Sequence, residues 1–107
     1  MQITGWSTEG PKMNPANGTI LADTGPADPR QYRFNMLVSA SVGARIDMEH
    51  RDSTNTVTLR SFPLFVVAGT TFQMAQSGEV QLATDERIRL IINGAVVGVV
   101  GGSLFVD

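Results

Sequence analysis

One run of residues constrains this chain more than any other. From Gln31 to Ser41, Tyr32, Phe34, Met36, Val38 and Ala40 alternate with Arg33, Asn35, Leu37, Ser39 and Ser41. A period of two sustained over that length is the pattern of a half-buried β-strand, because successive side chains point to opposite faces. Gly43 interrupts the run, and Ala44 to Arg51 resumes it. Ile46, Met48 and His50 lie on one face there, and Arg45, Asp47, Glu49 and Arg51 on the other. The turn Asp52-Ser53-Thr54-Asn55 is rich in side chains that bond to local backbone. It leads to a returning strand, Thr56 to Phe62. The two strands read as a hairpin that sets Arg60 beside the acidic outer row of Asp47 and Glu49.

The rest of the chain supplies neighbours for these strands. Thr19 to Asp23 is a short strand, and Thr24 to Pro29 a turn or crossing loop. Pro63 weakens the ladder before a short apolar piece, Leu64 to Val67. Further strands are expected at Thr71 to Ala75, Glu79 to Ala83 and Glu86 to Ile92. Asn93-Gly94 reads as a hairpin turn before Val96 to Val100, since both residues tolerate positive φ. Gly98 inside that strand marks a bulge or a close approach by another backbone. Gly101-Gly102 then separates a final strand, Ser103 to Val106. No window keeps helical spacing. The reading is an all-β protein: an antiparallel, jelly-roll-like sandwich of about eight short strands over residues 19–107. Residues 1–18 carry Gly5, Gly10, Pro11, Pro15 and Gly18, keep no period, and read as an extended N-terminal arm. Trp6, the only tryptophan, either anchors that arm on a neighbour or folds back to cap the domain's own core.

Composition narrows the chemistry. The 107 residues suit one domain, and a net charge of −2 gives no basic footprint for nucleic acid or an anionic membrane. The first ten residues have neither a charged n-region nor an apolar run, so no signal peptide is expected. The longest apolar stretch, Ala95 to Val100, is too short to span a bilayer. There is no cysteine and only one histidine, His50, whereas a jelly-roll metal centre needs several histidine ligands. His50 shares a row with Ile46 and Met48 and reads as a hydrogen-bonded core or edge residue. No G-x-S-x-G elbow occurs, and the glycines at 94, 98, 101 and 102 fit no phosphate loop. Asp47 and Glu49 have the spacing of a carboxylate pair, but Arg45, Arg51 and Arg60 turn them into charge pairing on a solvated sheet face. Asp85-Glu86 offers too few oxygens for calcium. The expectation is a protein with no catalytic residues, metal, cofactor or small-molecule substrate. Lys12 is the only lysine beside seven arginines. Arginine suits fixed ion pairs and interfaces, though genome base composition explains the bias as readily.

Certain stretches carry a resemblance. They are Leu21-Ala22-Asp23-Thr24-Gly25-Pro26, Gln31-Tyr32-Arg33-Phe34, Val38-Ser39-Ala40-Ser41, Glu49-His50-Arg51-Asp52 with Asn55-Thr56, and Asp85-Glu86-Arg87-Ile88-Arg89 before a Gly-rich end. From Leu21 to Asp107 the chain resembles small proteins of tailed bacteriophages. Its layout is similar to the jelly-roll cement or decoration proteins that stud phage capsids. That resemblance implies a non-enzymatic virion protein on the outer capsid surface. It would bind the major capsid protein and stabilise the shell, as a homo-dimer or homo-trimer. The outline is also similar to trimeric jelly rolls of the tumour-necrosis-factor type, which implies Tyr32, Phe34 or Leu37 near a subunit interface. The candidate partner-binding residues are therefore Trp6, Met13, Tyr32, Arg33, Phe34, Leu37 and Arg60. The alternative is a carbohydrate- or receptor-binding module of a phage tail or other surface assembly, which predicts exposed aromatics in loops at one end of the sandwich.

Overall fold

The computed structural model describes residues 3–75 and 79–107, so Met1 and Gln2 of the N-terminal arm lie outside it. Among the described residues there is no helix, and the chain is an antiparallel β-sandwich. Its strands are β1 (Gly5–Ser7), β2 (Lys12–Met13), β3 (Ile20–Asp23), β4 (Arg30–Tyr32), β5 (Phe34–Ala40), β6 (Ala44–Arg51), β7 (Thr58–Val66), β8 (Thr70–Ala75), β9 (Val80–Leu82), β10 (Arg87–Ile92) and β11 (Val99–Val106). One sheet, A, runs β1-β11-β5-β8, with β2 also paired to β11; the other, B, runs β3-β10-β6-β7; β4 and β9 form a small third ladder.

The alternating rows fill the space between the sheets. Phe34, Met36, Val38 and Ala40 of β5 meet Ile46 and Met48 of β6, and Ile88, Leu90 and Ile92 of β10, in one buried cluster. Val100, Leu104 and Val106 of β11 complete it. Gly102 sits in the inward row of β11, where a Cβ would lie 3.2 Å from both Leu21 Cβ and Leu90 Cδ1. The sheets therefore pack tightly at a position where the sequence has no side chain.

Several expectations are corrected. The Gln31 to Ser41 run is two strands, because the chain changes partner at Arg33: Tyr32 pairs with Val80 of β9, and Phe34 with Val106 of β11. Arg33 itself exchanges backbone bonds with Asp107, at 2.9 and 3.0 Å. The returning strand β7 continues through Pro63 to Val66. It is an edge strand, and Asp47 stays paired across from Pro63, so the missing N–H falls on the side without a neighbour. Val96–Val100 and Ser103–Val106 are not separate strands; β11 runs through Gly101-Gly102 without a break. Asn93-Gly94 does not close a hairpin, since β10 and β11 belong to different sheets. Residues 93–98 instead cross between the sheets, bonded to residues 14–17 through Val96 N–Pro15 O (3.1 Å) and Gly94 N–Asn17 Oδ1 (2.7 Å). Gly98 precedes β11, and the close approach there comes from a side chain: a Cβ would lie 2.6 Å from Ser41 Oγ.

Residues 3–18 do not project from the body. β1 and β2 lie along the edge of β11, Ile3 is buried, and Glu9 N donates to Leu21 O of the opposite sheet at 2.9 Å.

Candidate interaction face

The outward rows of the two sheets differ sharply in chemistry. Sheet B presents Asp23, Arg45, Asp47, Glu49, Arg51, Arg87 and Arg89, with Ile91 among them and Phe65 on its edge strand, and its carboxylates are satisfied from within. Arg89 Nε donates to Glu49 Oε1 at 2.7 Å, and Thr58 Oγ1 to Oε2 at 3.1 Å. Asp47 receives Arg45 Nε at 3.0 Å and Asn93 Nδ2 at 2.8 Å. Arg87 Nη1 pairs with Asp23 Oδ2 at 3.2 Å. Arg51 is held by Asn55 and Thr58. This mosaic gives all seven of these charged side chains an internal partner, and it makes Asp47 and Glu49 acceptors in ion pairs.

Arg60 is not part of that mosaic. The register sets it opposite His50, because a bulge at Leu59 lies between the pairs His50–Arg60 and Arg51–Thr58. A one-residue shift moves a side chain to the other face. Arg60 Nη2 lies 3.3 Å from His50 Nδ1, and His50 Nε2 lies 2.9 Å from Glu86 Oε1. Arginine has only donors, so Nδ1 accepts and Nε2–H donates to the carboxylate. Glu86 Oε1 also accepts the Ala83 N–H at 2.8 Å. Partial burial pushes the Glu86 carboxyl up, but the bonds from Ala83 and His50 outweigh it and leave the pKa below the ordinary 4.5.

Sheet A is the reverse. Its described outward row holds Trp6 of β1, Asn35, Leu37 and Ser39 of β5, Thr71 and Gln73 of β8, and Val99, Gly101, Ser103 and Phe105 of β11, with Met13 beside Val99. None of these is ionisable. Trp6 is 62% exposed and packs on Phe105, with ring centroids 5.2 Å apart. Met13 is 73% exposed, and Leu37 is exposed as well. A shallow groove of about 260 Å³ crosses this face, lined by Thr8, Pro11, Leu37, Ser39, Thr71 and Ser103, with Gly101 in its floor.

The structure thus brings Trp6, Met13 and Leu37 onto one face. Trp6 neither projects on a free arm nor caps the core; it stacks on the outside of its own sheet. Tyr32 and Phe34 are corrected: both belong to the core, at 0% and 1% exposure, because they occupy the inward row, and neither ring can reach a partner. Arg33 is exposed where β4 gives way to β5, with Nε 3.6 Å from Glu79 Oε1; its backbone pairing with Asp107 sets these two charged residues at the end of the outward row of sheet A, beyond Asn35 and Phe105. Sequence reasoning missed Phe105 and Val99. Their signal was parity with Ser103 along β11, hidden by the assumed break at Gly101-Gly102. No protein-family model matches the chain, and no curated protein matches it in sequence.

Proposed function

We propose that this chain is a non-enzymatic virion structural protein, a decoration or cement subunit. It binds the major capsid protein on the outer surface of a phage capsid through the outward face of sheet A. The observation that carries the reading is the asymmetry between the faces. Sheet B satisfies its own charges, while the outward strand residues of sheet A from Asn35 to Ser39 and Val99 to Phe105 are uncharged, with Trp6 stacked on Phe105 and Leu37 and Met13 on the same face. Charge depletion with aromatic and methionine enrichment is the composition of an interface centre. A buried tryptophan is among the commonest hot spots.

The strand pairing supports the same reading. The antiparallel pairs nest, β1 and β2 with β11, β3 with β10, β4 with β9, β5 with β8 and β6 with β7. A ribbon nested in this way and rolled into two sheets favours the jelly-roll layout that the sequence resemblance implies. Purified protein mixed with capsids lacking it should bind and co-sediment. Failure to bind any such shell rejects the assignment.

A second reading rests on the groove. Its hydroxyls and small floor beside an exposed aromatic pair suit a neutral saccharide, so a glycan-binding module of a tail or surface assembly is the alternative. A glycan array read with wild-type and Trp6→Ala protein tests it, and an array without hits removes it.

A further inference from the structure

Among the described residues, the four edges of sheets A and B are not equally protected. At one side of the sandwich, β1, β2 and β3 are only two to four residues long. Residues 9–18 cross over that side, tied to β3 by the Glu9–Leu21 bond and to residues 93–98 by further backbone bonds. On the opposite side, β7 and β8 are both open, joined by a tight turn in which Thr70 N donates to Val67 O. Natural edge strands are guarded by proline, charge, bulges or covering chain. β7 carries three of these guards: Pro63, Arg60 and the bulge at Leu59. β8, Thr-Thr-Phe-Gln-Met-Ala, carries no proline, charge or bulge over six residues, and among the described residues no strand lies beyond it.

The same side holds an apolar strip. Phe62 and Phe72 lie in inward rows yet are 46% and 39% exposed, because the two edges leave the mouth of the core open. Phe65, on the outward face of β7 opposite Arg45, and Val67 are 70% and 71% exposed, and Leu59 is 48% exposed. At about 200 Å² per phenylalanine and slightly less for leucine and valine, the strip leaves on the order of 500 Å² of apolar surface in water. A standard interface takes about 800 Å² from each partner, a little over half of it apolar. One strip therefore supplies the apolar part of one half-interface.

We propose that this protein forms a two-fold homodimer through the β7–β8 side. β8 pairs antiparallel with β8 of a second copy, and Phe62 and Phe72 of both protomers close the two core mouths against each other, with Phe65 packing at the rim of the interface. A second copy fits because an antiparallel edge is self-complementary about a two-fold axis. Pro63 withholds a donor from β7, so β7 contributes side chains and β8 supplies the ladder. The Trp6 face stays free on both protomers. The proposal does not rest on capsid attachment, and either can fail alone.

Sedimentation equilibrium of the full chain should show a concentration-dependent dimer. Phe65→Glu, chosen because Phe65 is mostly exposed and its loss spares the core, should weaken dimerisation at least tenfold with an unchanged circular dichroism spectrum. Hydrogen exchange should show alternate amides of Thr70–Ala75, those on the open edge of β8, becoming protected as concentration rises through the dimer range. A monomer up to millimolar concentration overturns the proposal. So does a trimer, a dimer that Phe65→Glu leaves intact, or a dimer whose β8 amides exchange as fast as the monomer's.

Discussion

Gly102 shows how one residue sets the distance between the sheets. Its missing side chain lets β11 approach Leu21 and Leu90, which are both fully buried. Gly102→Val should lower unfolding free energy by about 1–3 kcal/mol in urea melts, the usual cost of overpacking. Gly101→Ala should be nearly neutral, because its Cβ would meet nothing closer than 3.6 Å. Glu86 is the other pivotal residue. Glu86→Ala strips His50 Nε2–H and the Ala83 N–H of their acceptor and should cost about 1–3 kcal/mol. Asp52 acts similarly in the β6–β7 turn. The Thr56 N–H is the main cause that holds its pKa below the ordinary 3.8, working against slight desolvation and aided by the Val57 N–H and the hydroxyls of Thr54 and Thr56. Both carboxyls have folded pKa values below their unfolded ones. Their stabilisation is thus complete above the ordinary values of 3.8 and 4.5 and is lost as pH falls through the lower folded values. Melting temperature should therefore drop on acidification below about pH 4.5, and Glu86→Gln should flatten that drop. That His50 is a satisfied core residue was legible from its row. Its partner was not, because Glu86 lies 36 positions away and comes close only through the β6–β10 pairing.

At the scale of elements, legibility followed the strength of the local pattern. The inward rows of β5, β6 and β10 were readable from period two alone, and each is buried as that pattern requires. Partner changes and edge positions were not readable, since they depend on which strand lies alongside. Arg33 looks like any outward residue until β9 gives way to β11. Pro63 looks like a strand terminator until β7 proves to be an edge. Gly101-Gly102 looks like a turn until the opposite sheet fills the space. The N-terminal segment has the same history: its glycines and prolines hide two short strands that complete sheet A. Deleting residues 1–18 should remove the ladder along β11 together with buried Ile3 and uncover Phe105. The truncated protein should melt at markedly lower temperature or aggregate, rather than keep its fold and lose only attachment. Thermal circular dichroism checks this; an unchanged melting curve would show that the segment is dispensable to the body.

The whole molecule has two unlike faces and one open side. Sheet B is a surface of matched charges suited to water, and the outward strand rows of sheet A are uncharged and carry an aromatic pair. Half of this asymmetry was visible in the sequence, where the charged row of β6 stands out. The other half needed the register, because Trp6 and Phe105 are almost a full chain length apart and meet only through β1 and β11. We propose that the Trp6–Phe105 face attaches this protein to a capsid. The most direct test is the affinity of wild-type and Trp6→Ala protein for capsids lacking it, with the variant's fold checked by its melting curve. Attachment through this face predicts saturable binding by the wild type and a loss of roughly 30-fold in the variant, the scale of an aromatic hot spot. Equal affinities for the two proteins, or no binding by either, would contradict it.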